Sequence, residues 1–144
     1  MNDAVIFRSS TFSLEPPVEH GVAYDLPLGD DIAAFLAPRI SSADPSSTVG
    51  SPIREDWGSV LDVSIGTEAY SLSFHWLGYR DSEDTWGIQF AQRIGCLGIL
   101  FGRRSRSSAC RPLQSLVARI ITESPEAFTH VEWLSQQDFH ARQR

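Results

Sequence analysis

The 144-residue sequence contains no lysine; all twelve basic residues are arginine. A phosphate-binding P-loop places a lysine behind its glycines, so that class is excluded. Gly95, Gly98 and Gly102 also fit neither the dinucleotide nor the P-loop spacing. Two cysteines, Cys96 and Cys110, are too few and too far apart for a CxxC metal pair, and both are expected as reduced thiols. No apolar run approaches the roughly 18 residues that a membrane-spanning helix needs. Asp3 stands where a signal peptide would carry positive charge, and no apolar stretch follows, so a cytoplasmic protein is expected. Internal repeats are also missing.

The usual marks of catalysis are equally scarce. The four histidines, His20, His75, His130 and His140, include no i, i+4 pair and no HExxH. Ser64-Ile65-Gly66 does not make a nucleophile elbow. The carboxylates lack the spacing of an EF-hand. No catalytic, metal-binding or cofactor-binding set is therefore assigned.

What the sequence does have is alternation. Trp57, Ser59, Leu61, Val63 and Ile65 fall on one side of a first run; Tyr70, Leu72, Phe74 and Trp76 of a second; Trp86, Ile88 and Phe90 of a third. A period of two is the mark of half-buried strands. The pattern predicts an antiparallel meander over 57–90 whose apolar face needs a cover. Leu113, Leu116, Val117, Ile120 and Ile121 recur at three and four residues after Pro112, which predicts the covering amphipathic helix. A short N-terminal helix is expected from Asp30, with Asp30 as its cap and an end or kink near Ala37 before Pro38. Val5–Phe7 and Thr11–Leu14 read as an edge strand or hairpin, and Val131 and Trp133 as one face of a last short strand. Residues 41–51, rich in Ser, Asp, Pro and Gly, read as a flexible loop, and 135–144 as a frayed helix or disordered tail. The predicted fold class is α+β, in a single domain over 1–144.

Charge is unevenly placed. Residues 1–92 carry a net −10 and residues 93–144 a net +4. An acidic, sheet-bearing half repels nucleic acid and favours a basic partner. Glu55, Asp56, Asp81, Glu83 and Asp84 gather at predicted strand ends, as solubilising charge or as a docking surface for a cationic partner. Arg103, Arg104 and Arg106 form a basic loop without interleaved aromatics, which is read as solvated rather than as a nucleic-acid patch. His75 alternates with Phe74 and Trp76 and should point off the packed face, as a plain surface or half-exposed histidine.

The order of features from 55 to 134 resembles a known class. Asp56-Trp57 leads a strand, a glycine turn follows, then Tyr70-x-Leu72 and Trp86-x-Ile88-x-Phe90. Leu100 to Arg104, an amphipathic helix and Val131-x-Trp133 close the series. This resembles small bacterial immunity proteins of contact-dependent growth inhibition and related polymorphic-toxin systems. The resemblance implies a non-enzymatic cytosolic inhibitor that covers a cognate toxin domain, often a nuclease. An acidic lid would complement the basic active site of a nuclease. Two alternatives stay open: a small enzyme or ligand carrier with a pocket between sheet and helix, and an assembly protein that pairs through an edge strand.

Overall fold

The computed structural model describes residues 3–93 and 110–144. At its centre three long strands pair antiparallel: β6 (Gly58–Ile65), β7 (Glu68–Trp76) and β8 (Thr85–Arg93). Their register sets Leu61, Leu72 and Phe90 side by side, and likewise Ser59, Phe74 and Ile88. Alternation in the sequence thus becomes one continuous apolar face. Among the described residues the sheet has seven strands, in the order β4-β6-β7-β8-β1-β9, with β5 also paired to β6. Here β1 is Ala4–Arg8, β4 is Ser47–Val49, β5 is Ile53–Glu55 and β9 is Thr129–Leu134. The fold is α+β, as the periodicities predict.

Among the described residues two helices cover the apolar face: α1 (Asp30–Ala43) and α2 (Arg111–Glu123). They bury Ile32, Leu36 and Ile40, and Leu113, Val117 and Ile120, against Leu61, Leu72, Phe74, Trp86 and Ile88. Phe7, Phe12, Phe35 and Phe128 close one side with ring centroids 4.8 to 5.7 Å apart. Each fully buried side chain of this size contributes about 1.5–3 kcal/mol, so this layer holds the sheet.

Several expectations are corrected. Pro38 lies inside α1, which continues to Ala43. The proline removes the amide that would bond to the Ala34 carbonyl. Ala34 faces solvent, and Leu36 and Ile40 are buried on either side of the proline, so packing outweighs the lost bond. Gly29, not Asp30, is the N-cap, in a left-handed conformation, while the Asp31 carboxylate accepts the Ser13 amide at 2.7 Å. Burial raises the Asp31 pKa, although that bond opposes the shift.

The stretch 41–51 is not a flexible loop. It supplies the last turn of α1 and strand β4, whose ladder to β6 uses backbone groups that composition does not reveal. β1 is an inner strand between β8 and β9, and Thr11–Leu14 is irregular, with Phe12 in the core. Among the described residues both sheet edges are interrupted. Gly50, Ser51 and Pro52 stand against only Leu61 and Asp62, and β9 shifts register at His130, whose φ is 52°. Such breaks work against edge-to-edge pairing.

The tail forms a third helix, α3 (Gln136–Gln143), capped by Ser135, whose side chain accepts from the Asp138 amide. It packs on the second sheet face. Phe139 is fully buried among Ala4, Ile6 and Leu77. The ring fits only because position 87 is glycine: a Cβ there would lie 2.5 Å from Phe139 Cε2. Glycines 95, 98 and 102, the 103–106 arginine loop and Cys96 lie outside the described residues.

Candidate functional site

The strand register gathers the candidate residues at one end of the sheet. Gly58 opens β6 opposite His75, near the close of β7, and Thr85 opens β8 opposite Arg8, the last residue of β1. The β5–β6 turn, the β7–β8 loop and the N-terminus of α1 therefore share this end. The Arg54–Asp30 pair at 3.0 Å ties β5 to α1 there. All five predicted acids, Glu55, Asp56, Asp81, Glu83 and Asp84, lie here, on two neighbouring connections.

They are not equivalent. Asp84 accepts from Arg8 Nε at 2.9 Å and is half-buried, so it holds the loop to β1. Asp81 faces Arg142 of α3 at 3.8 Å, and Arg142 also reaches Glu132 at 3.0 Å. Glu83 contributes its carbonyl to Trp76 Nε1 at 2.7 Å. Among the described residues, the carboxylates of Glu55, Asp56 and Glu83 make no ion pair.

Sequence reasoning missed a further element. Val18–Glu19 (β2) and Val22–Ala23 (β3) form a small hairpin. Its two turn residues, His20 and Gly21, both take positive φ, 53° and 78°, as a two-residue turn of this kind requires. The His-Gly pair was the available signal; Pro16-Pro17 hid it by suggesting that no ladder could form. Glu19 accepts from Tyr24 Oη at 2.7 Å, and this bond, first of all, raises the Tyr24 pKa. The hairpin and Asp56 border an open cleft of about 420 Å³, lined also by Tyr24 and Asp25.

Apolar groups sit among these charges. Trp57 is 43% exposed, Tyr79 55%, Val18 64% and Val22 69%; Ile53 is also exposed. Trp57 was expected on the packed face. Glu55 pairs with Gly58, which makes Asp56-Trp57 the two-residue turn of the β5–β6 hairpin, outside the strand alternation. Its ring instead stacks on His75 of the opposite face, with centroids 4.8 Å apart.

His75 does point off the main core, yet it is not a plain surface group. Phe139 meets its ring edge-on at 5.5 Å, and Gln143 Nε2 lies 3.1 Å from Nδ1. Its Nε2 is buried without a partner. Desolvation, then the nearby His140, lowers its pKa to about 4, so the ring is neutral at pH 7. His130 lies exposed on the β9 bulge, and Cys110 is a free thiol buried in the helix layer. Burial, then Asp3, pushes that thiol up to about 11. These three groups occupy separate parts of the fold. No cluster of three or more metal-ligating side chains occurs among the described residues. No described helix is long and apolar enough to cross a membrane.

The chain matches no family model, no curated protein and no solved structure.

Proposed function

We propose that this chain is a non-enzymatic binding protein of the immunity type, which docks the acidic end of its sheet on a basic toxin domain in the cytoplasm. One observation carries the reading. Carboxylates that make no ion pair among the described residues, at Glu19, Asp25, Glu55, Asp56 and Glu83, share one end of the fold with exposed Trp57, Tyr79, Val18 and Val22. Aromatic anchors ringed by like charge are the composition of a surface that buries its centre against a partner and steers it by its rim. Solubilising charge alone does not require exposed tryptophan and valine beside it.

A nuclease toxin binds a polyanion and presents a basic surface, which suits this end in sign. The test is co-expression with the toxin domain encoded beside this gene, followed by purification and a binding isotherm. Protection from toxicity together with a one-to-one complex is the expected result. A purified toxin domain that neither binds nor is neutralised by the folded protein would refute the reading.

A further inference from the structure

The acidic end is not uniform, and its β2–β3 side differs from its β7–β8 side. On the β7–β8 side, Asp84 and Asp81 face the protein's own Arg8 and Arg142. On the β2–β3 side, Asp25 and Asp56 make no ion pair among the described residues, and Glu19 bonds the Tyr24 hydroxyl and lies within electrostatic reach of Arg54, whose own ion pair is with Asp30. These three carboxylates border one concave space of about 420 Å³, walled by Val22, Ala23 and Tyr24. Among the described residues, Arg54 faces Asp30, Glu19 and the neighbouring Asp25 and Asp56 with one positive charge, so negative charge stays in excess where the surface is also hollow and partly apolar.

We infer that this cleft, between the β2–β3 hairpin and the β5–β6 turn, seats an arginine side chain of the protein partner. This assignment rests on the docking reading above and names its anchor point. An arginine has an apolar stem and a flat head with five donors. The stem matches Val22, Ala23 and Tyr24. The head can bridge carboxylates from two separate elements, Asp25 or Glu19 on one side and Asp56 on the other. A free amine would leave the flanking Val18, Ile53 and Trp57 uncovered. A protein segment that carries the arginine would cover them, so the occupant is macromolecular.

The hairpin suits such a role. Its paired region is two residues per strand, and Val18, Glu19, Val22 and Ala23 are all exposed. Two-stranded ribbons of this size gain little stability alone. Contact with a partner would bury the outer valines and order the seat.

Two measurements test the assignment. In the first, the ¹⁵N-labelled protein is titrated with acetyl-Leu-Arg-Leu-amide and with the same peptide bearing citrulline, which keeps the shape and removes the charge. Saturable shifts confined to residues 18–25 and 53–57, with the citrulline peptide about tenfold weaker, are expected. Shifts spread evenly over all surface acids, or equal affinity for citrulline, would overturn the assignment.

The second compares the parent with the Glu19→Gln, Asp56→Asn double variant for binding to the toxin domain. Both changes keep size and polarity, and an unaltered amide spectrum outside the cleft confirms the fold. A loss of about tenfold or more in affinity is expected. If the domain binds parent and variant equally, the arginine seat is wrong while the docking reading stands. If the domain does not bind the parent, the docking reading itself has failed.

Discussion

Replacing Phe139 with alanine tests how the tail is held and why His75 is neutral. Phe139 is the one buried residue of α3, and its ring fills the space above Gly87. Emptying a buried phenylalanine site costs about 3–5 kcal/mol. The other ties of α3 are exposed polar contacts, such as Tyr79 Oη donating to the Gln143 carbonyl at 2.6 Å and Arg142 to Glu132 at 3.0 Å. Exposed ion pairs of that kind contribute about 1 kcal/mol or less each. An eight-residue terminal helix can also undock without unfolding the sheet, which limits the loss. We therefore expect Phe139→Ala to cost about 3 kcal/mol in a denaturant titration at pH 7.

The same change should free His75. In the parent its folded pKa, about 4, lies below the unfolded value of 6.5. The unfolded chain then binds the extra proton between these values, so stability is full above pH 6.5 and falls as pH drops toward 4. At 1.36 kcal/mol per unit the loss reaches about 3 kcal/mol at the acid end of that window. With α3 undocked, water reaches the ring, the His75 pKa moves up toward 6.5, and this part of the acid sensitivity disappears. Titration of the His75 ring carbons by NMR reads the pKa directly. A parent His75 that titrates near 6.5, or a variant whose pKa stays near 4, would refute the reasoning.

Further outcomes follow from other parts of the fold. Pro38→Ala restores an amide facing the Ala34 carbonyl inside α1 and should raise stability by about 1–2 kcal/mol, below the roughly 3 kcal/mol interior penalty because the proline also restrains the unfolded chain. An unchanged or lower melting temperature would contradict that account. In a Cys96→Ser background, Cys110 should react with a disulfide reagent at pH 8 far more slowly than in denaturant, since burial both shields it and suppresses the thiolate. Equal rates in the two conditions would count against its placement. Asp84→Asn removes a part-exposed pair with Arg8 and should cost under about 1 kcal/mol in denaturant unfolding, with a larger loss ruling out the exposed-pair estimate.

What could be read from the sequence was what repeats. Leu61, Leu72, Phe74, Trp86 and Ile88 alternate, and Leu113, Val117 and Ile120 recur at helical spacing, because each faces one partner layer throughout its length. Single residues were harder. Phe139 is one apolar residue in a polar tail, so no period marks the face it buries. Trp57 continues the alternation of β6 by coincidence, one residue before the strand begins. Ser47–Val49 joins the sheet through main-chain bonds to β6, which no side-chain pattern encodes. The five predicted acids do share one end of the sheet. The sequence could not show that Asp81 and Asp84 face internal arginines, because Arg142 and Arg8 are distant along the chain. Nor did it show Glu19 and Asp25 beside Asp56, which depends on a hairpin that two prolines appeared to forbid.

Association with the proposed toxin partner, followed as salt is raised, tests the docking proposal most directly. Docking through the acidic end predicts an association rate that falls at least about tenfold between low and high ionic strength. The Glu55→Lys, Asp56→Lys, Glu83→Lys variant should lose most of both the rate and its salt dependence, because among the described residues none of these carboxylates makes an ion pair that holds the fold. A rate indifferent to salt and to all three reversals would contradict the central claim.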